Sequence, residues 1–247
     1  MLGSERRSPV TIHVGTSGWS YSGWKGRFYP PELPSRNWLP YFAQHFTTVE
    51  INMTFYRFPQ PATLRGWLAK TPPNFKFTLK ANRRITHLKK LKDVAHDVRY
   101  FYILAANLKD KLGCILFQLP PSLAIDLELL DNFLDTLSSQ FQNVIEFRHQ
   151  SWYTPEVYQR LQLHQVAFCN VSSKKVPPTS LVTARASYFR FHGLTGGYRY
   201  SYPEEELRQW AEEIKKAQAE ETYVYFNNDY KAFAVYNAQT IKKLITD

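Results

Sequence analysis

The sequence predicts an α/β protein built as a single, parallel, eight-stranded (β/α)8 barrel of the TIM type. Three observations lead there. Eight strand-like stretches alternate with segments of helical period. A length of 247 residues suits one such barrel and is short for two ordinary domains. Along most strands, apolar residues alternate with polar or charged ones, and the polar set crowds toward the C-terminal ends.

Residues 1–10 show neither period and read as a disordered N-terminal tail, leaving 11–247 as one barrel domain. The predicted strands are Thr11–Ser17, Thr48–Met53, Phe75–Lys80, Cys114–Leu119, Asn143–His149, Val166–Val171, Tyr188–His192 and Tyr223–Asn228. After the first, Leu39, Phe42 and Phe46 share a helical face. Val94, Val98, Phe101, Tyr102 and Leu108 form a stripe after the third, and Leu127, Leu130, Phe133, Leu134 and Leu137 one after the fourth. Leu207, Trp210, Ile214 and Ala217 follow the seventh, and Val235, Ala238, Ile241, Leu244 and Ile245 close the chain. Ser172–Ala186 carries no helical stripe, so an irregular segment is expected after strand six.

Strand alternation assigns the two faces. Val49, Ile51, Phe75, Phe77, Leu79, Ile115, Phe117, Ile145, Phe147, Phe189, Phe191, Val224 and Phe226 fall on the helix-facing side. The opposite parity carries Glu50, Asn52, Thr78, Lys80, Gln118, Glu146, Arg148, Arg190, His192 and Asn227, which should enter the lumen, as should Ser17. Barrel interiors are ordinarily filled by branched apolar side chains, and burying unpaired charge costs several kcal/mol. Such residues are kept when they are paired or used, and barrel active sites form at this end of the strands. Arg190 is expected to be buried and paired with Glu146 or Glu50.

The connections above that end are aromatic. Trp19, Tyr21 and Trp24 follow strand one, Tyr56 strand two, Trp152 strand five, and Asn228 and Asp229 extend strand eight. Rings over a polar pit suit a sugar or a base, which stacks while its edge groups hydrogen-bond.

Composition excludes several classes. No apolar run approaches the roughly 20 residues of a membrane span. Two cysteines make neither a disulfide framework nor a zinc site, and the first residues lack an apolar signal core, so a cytoplasmic protein is expected. The formal charge of +10 favours anionic partners: a small anionic or sugar-like ligand, with nucleic acid as the alternative. No membrane partner is expected, and the oligomeric state stays open.

Several strings resemble those of the family known as domain of unknown function 72, also called YecE-like. They are Gly15-Thr16-Ser17-Gly18-Trp19-Ser20-Tyr21 with Trp24, Val49-Glu50-Ile51-Asn52-Met53-Thr54-Phe55-Tyr56, Thr86-His87, and Phe117-Gln118-Leu119-Pro120-Pro121. Glu146-Phe147-Arg148-His149, Tyr188-Phe189-Arg190-Phe191-His192-Gly193 and Phe226-Asn227-Asn228-Asp229 continue the series in order along nearly the whole chain. The resemblance implies a TIM-type barrel and brings no assigned reaction. Family members often carry an acidic residue after strand six, where this chain has Cys169-Asn170-Val171-Ser172-Ser173.

The chemistry expected from the residues is acid–base work by a metal-independent enzyme, a hydrolase or lyase, with no cofactor. Glu50, Glu146 and His192 are the candidate catalytic groups. Glu50 and Glu146 stand on strands two and five, facing walls of an eight-stranded ring, as glycoside cleavage would require. Lys80, Arg148 and Arg190 would bind the anion, and in the same pit they would repel a metal ion. Ser17, Asn52, Gln118, Asn227, Asn228 and Asp229 would orient the ligand. Trp19, Tyr21, Trp24, Tyr56 and Trp152 would wall it. A non-catalytic metabolite-binding barrel is the remaining reading.

Overall fold

The computed structural model describes residues 10–246. Eight parallel strands close into a barrel in sequence order, β1-β2-β3-β4-β5-β6-β7-β8, with β1 pairing β8. The strands are β1 Thr11–Ser17, β2 Thr48–Ile51, β3 Lys76–Lys80 and β4 Leu112–Gln118, then β5 Gln142–Glu146, β6 Ala167–Ser173, β7 Ala186–Gly193 and β8 Glu221–Phe226. The tail expected at 1–10 lies outside the described residues except for Val10.

The helices are α1 Trp38–His45, α2 Met53–Tyr56, α3 Pro61–Ala69 and α4 Ala95–Ala105, then α5 Leu127–Leu134, α6 Pro155–Leu163, α7 Glu204–Lys216 and α8 Phe233–Thr246. Proline opens α3 and α6, where its fixed φ suits the first turn and its missing N–H costs nothing. Asp126 caps α5, its side chain accepting from Leu129 N at 3.0 Å. α7 sets Glu204, Glu205 and Glu206 at its start and Lys215 and Lys216 at its end, matching the helix dipole. The connection from β6 to β7 holds no α-helix, as the missing stripe predicts. Asn170 organises it instead. Its Oδ1 accepts from Thr179 Oγ1 and Leu181 N, both at 2.8 Å, and its Nδ2 donates to Leu181 O at 2.9 Å.

Two separate apolar clusters form. The larger lies between barrel and helices and takes in Val49, Phe77, Ile115, Phe147, Phe189, Phe191 and Phe226, all essentially inaccessible. Burying a side chain of this size contributes about 1.5–3 kcal/mol, so this layer fixes the strand register. The smaller cluster fills the lumen with Cys114, Leu116, Val144, Cys169, Val171, Tyr188, Tyr223 and Tyr225. The lumen is thus apolar and aromatic below and charged above. Tyr225 Oη ties its layers together, bonding Thr48 Oγ1 at 2.5 Å and Thr78 Oγ1 at 2.9 Å. Among the described residues no helix is long and apolar enough to cross a membrane.

Candidate active site

Register brings the charged residues to one level. Ser17 lies beside Glu50 across β1 and β2, and Gln118 beside Glu146 across β4 and β5. Arg190, on β7, enters the lumen between the two carboxylates. Its Nη2 donates to Glu50 Oε1 at 2.6 Å, and its Nη1 donates to Glu146 Oε2. Glu50 is completed by Ser17 Oγ at 2.8 Å and Tyr188 Oη at 2.5 Å. Arg190, Glu50 and Glu146 are all buried, and of the side-chain nitrogens and oxygens of these three residues only Arg190 Nε lacks a partner.

This arrangement corrects the two-carboxylate expectation. Glycoside cleavage needs a sugar between the carboxyl groups. Here the Arg190 guanidinium occupies that space. Burial alone would raise the Glu146 carboxyl, but Arg148, Arg190 and His192 together hold it well below the usual range. Glu146 is therefore held as a carboxylate, an acceptor of hydrogen bonds from three cationic or polar neighbours rather than a protonated acid. Glu50 and Glu146 form an ionic floor.

Above the floor stand groups with unfilled capacity. Arg148, at the β5 end, is about one-fifth exposed and pairs through Nε with Glu146 Oε1 at 2.5 Å. His192, after Arg190 on β7, sits with Nε2 3.2 Å from Glu146 Oε1, and Asn227 Nδ2 meets its Nδ1 at 3.2 Å. Burial, then the neighbouring guanidinium of Arg148, push the His192 pKa down to about 4. The ring is neutral, with its proton on Nε2, and its contact with Glu146 is a hydrogen bond rather than an ion pair. Lys80, at the end of β3, donates to Gln118 Oε1 at 2.5 Å, and its Nζ lies 4.2 Å from the Phe55 ring centroid. Burial and then Arg190 push its pKa down to about 8.

The rim is formed by Tyr21, Asn52 and Asp229. Tyr21 Oη donates to Ser17 O at 2.6 Å, and Asn52 hydrogen-bonds the Tyr21 hydroxyl. Gly18, at φ +90°, permits this approach, because a Cβ there would come within 2.7 Å of Tyr21 Oη. Asn52 Oδ1 is buried without a partner. Asp229 is half-buried, and that burial raises its pKa.

Several expected wall and orienting residues lie elsewhere. Trp24 is fully buried and donates through Nε1 to Asp229 O at 2.9 Å, so it anchors the β8 loop and shows no face to the mouth. Trp152 is also buried, stacked on Phe147 in the outer layer, with Nε1 donating to Leu123 O at 2.7 Å. Trp19 packs edge-on against Trp67 of α3. Asn228 turns away from Asn227 and ties Tyr200 O to Asn237 Oδ1 at 2.7 and 2.8 Å. Tyr56 is 68% exposed and packs on Phe55, leaving it at the outer rim.

Two further residues belong to this region. Tyr188 shares the lumen parity of Arg190, and its hydroxyl closes the Glu50 coordination. His87 lies on a π-turn, Arg84–Leu88, above β3, edge-on to Phe55 at 4.8 Å. Burial, Lys80 and Arg148 lower its pKa. π-turns recur at functional positions. No sequence period announces this one, although Thr86-His87 belongs to the family-like strings. Among the described residues no group of three or more His, Cys, Asp or Glu side chains is placed to hold a metal ion.

An eight-stranded barrel with an ionic floor beneath polar groups at the C-terminal end of its strands defines a TIM-barrel protein. The chain belongs to the family described as "Protein of unknown function DUF72", which it matches over residues 13–247. A solved DUF72 family protein of Thermotoga maritima MSB8 is 34% identical and superimposes with a TM-score of 0.89, over 96% of this chain and all of that one. The UPF0759 protein YunF of Bacillus subtilis is 25% identical over 95% of this chain and 94% of its own length. The UPF0759 protein YecE of Escherichia coli K12 is 29% identical over 143 residues, 58% of this chain and half of that protein.

Proposed function

We propose that the barrel mouth binds a small anionic ligand, of the phosphorylated sugar or nucleoside class, and acts on it by acid–base chemistry as a hydrolase or lyase. One observation carries this reading. Toward the open end of the lumen the two floor carboxylates, Glu50 and Glu146, are already held by Arg190, which leaves Lys80, with no carboxylate partner, and the partly exposed Arg148 as the cations that can meet a ligand, with Asp229 the acid at the rim. An anion entering there meets a planar guanidinium suited to bidentate oxygens and an ammonium beside it.

The proton-handling groups are His192 and Lys80. His192 is neutral at working pH, its Nε2–H oriented by Glu146 and its Nδ1 by Asn227. As the free base it can take up a proton and then return it. Tyr21, Asn52 and Gln118 orient the ligand's hydroxyl or base edges.

The test is calorimetric titration with inorganic phosphate, followed by a panel of sugar and nucleoside phosphates. Phosphate binding that weakens at least tenfold in Arg148→Ala, with the fold intact by circular dichroism, is the expected result. Unchanged binding in that variant would overturn the site. Nucleic acid, to which the net charge also points, is separated by salt. Its affinity would fall steeply with ionic strength, with a slope set by the phosphates contacted.

A further inference from the structure

We infer that Lys80 is the nucleophilic amine of this site and condenses with the carbonyl group of a small anionic aldehyde or ketone to form a Schiff base. The inference rests on the anion-binding reading above and deepens it by naming the functional group of the substrate.

Lys80 differs from every other cation in the pit in what holds it. Arg190 is clasped by two carboxylates and Arg148 by one. Among the described residues no carboxylate lies within ion-pair distance of Lys80 Nζ. A neutral amide oxygen, Gln118 Oε1, accepts one of its hydrogens at 2.5 Å, and the Phe55 face lies beneath it. These partners position the nitrogen without requiring its charge. An ammonium needs counter-charge when it leaves water, whereas a neutral amine hydrogen-bonded to an amide does not.

The surroundings push the same way. Arg190, Arg148 and His87 lie around Lys80, and burial, then the Arg190 charge, lower its pKa to about 8 against the opposing pull of Glu146 and Glu50. Desolvation and neighbouring cations are the recognised means of turning a lysine into a nucleophile at neutral pH. The same cations would receive the substrate's carboxylate or phosphate, leaving its carbonyl carbon facing the amine.

The step balances without a further reactant. The lone pair of neutral Nζ attacks the carbonyl carbon and forms the C–N bond, and the carbonyl π electrons pass to oxygen. Both amine hydrogens leave with that oxygen as water, and a C=N bond replaces C=O. Such an imine draws electrons from the adjacent carbon. A lyase can then break a bond to that carbon.

The experiment is reductive trapping on the full chain. The protein is incubated at pH 7.5 with glyoxylate or pyruvate and sodium cyanoborohydride, with acetaldehyde as a neutral comparator, and each lysine's modification rate is mapped by peptide mass spectrometry. At this pH an amine of pKa about 8 is about one-quarter neutral, against about one part in a thousand for an ordinary lysine. Lys80 should therefore be modified by the anionic carbonyls at least tenfold faster than any exposed lysine. Inorganic phosphate should slow that reaction. In Lys80→Arg, which keeps the cation and cannot form an imine, the fast phase should vanish; phosphate binding, the check on the anion site, is read on the unsubstituted protein. Lys80→Met repeats the labelling arm alone if the arginine does not fit: the fast phase should vanish there too, whatever becomes of phosphate binding.

Slow, uniform labelling with phosphate binding intact would overturn this inference and leave the anion site standing. Slow labelling with no phosphate binding would overturn both. Fast labelling of Lys80 by acetaldehyde as readily as by glyoxylate, indifferent to phosphate, would overturn the anionic substrate class.

Discussion

Arg190 and Lys80 stand near the same end of the barrel, on β7 and β3, and are held in opposite ways. Arg190 is sealed between Glu50 and Glu146, with Tyr188, Ser17, His192 and Arg148 completing the network. Lys80 has an amide and a ring face. One cation is matched by charge and holds the fold. The other is left partly desolvated, which costs stability and yields reactivity. Sites that do chemistry are where such local costs concentrate.

The largest effect should come from breaking the sealed cation. Arg190→Leu leaves two buried carboxylates facing each other, and removal of one partner from a buried ion pair costs about 3–5 kcal/mol. Urea unfolding should show a loss of at least about 3 kcal/mol or no cooperative transition at all. Arg190→Lys should fold with a smaller loss, because one ammonium cannot span both carboxylates. A loss under about 1 kcal/mol for the leucine variant would mean that the network is not what holds the floor.

Lys80→Met should act with the opposite sign. The folded-state pKa, about 8, lies below that of an unfolded lysine, so protonation is disfavoured by folding. Below pH 8 the cost is fully present, and it disappears as pH rises toward the unfolded value near 10.4. At pH 7 the methionine variant should gain about 1–3 kcal/mol while losing anion binding. Above about pH 10.5 the gain should vanish. Destabilisation at pH 7 would make Lys80 a structural cation like Arg190.

His192 tests the boundary between floor and rim. Its folded-state pKa of about 4 lies below the ordinary value near 6.5, so the unfolded chain binds more protons between these limits. Its stabilising contribution is complete above pH 6.5 and is lost as pH falls toward 4. His192→Gln should remove about 2 kcal/mol of that acid-side slope. Stability curves measured from pH 4 to 7 would show it, and parallel curves for the two proteins would contradict the neutral, buried assignment.

The contrast between floor and rim also marks what the sequence discloses. Alternation in Phe189-Arg190-Phe191-His192 reads correctly because the outward phenylalanines bury against helices, and a one-residue slip would expose them all. Tyr188 and Tyr225 obey the same parity, yet composition alone makes them look like outer-layer aromatics. Only the closed ring shows their hydroxyls meeting Glu50, Thr48 and Thr78. α3 and α6 lack a broad apolar stripe, burying chiefly Leu64 with Trp67 and Val157 with Leu161, so the sequence signal there is weak. In the loops no period operates. Trp24 and Trp152 follow the right strands, but their indole N–H groups find backbone acceptors below the surface.

The smallest effect concerns Asn170, which has no helix to support and instead clamps the irregular β6–β7 connection. Its amide plays both hydrogen-bonding roles: Oδ1 accepts from Thr179 and Leu181, and Nδ2 donates to Leu181 O. Asn170→Asp has the same shape. It keeps both accepted bonds and replaces the donor with a second acceptor facing Leu181 O. One bond is lost and one oxygen–oxygen approach introduced, in a buried place. A single hydrogen bond contributes about 1 kcal/mol net, and the added repulsion between acceptors brings the expected cost to about 1–2 kcal/mol. Asn170→Ala, which also strands the Leu181 amide, should cost about the same or slightly more. Anion binding at the mouth should not change in either variant, because the clamp works on the segment outside the Lys80 and Arg148 pit. Calorimetric titration with phosphate alongside urea unfolding separates the two quantities. A stability loss with unaltered phosphate affinity keeps the clamp and the site distinct, whereas a parallel loss of affinity would show that the β6–β7 segment helps to shape the mouth.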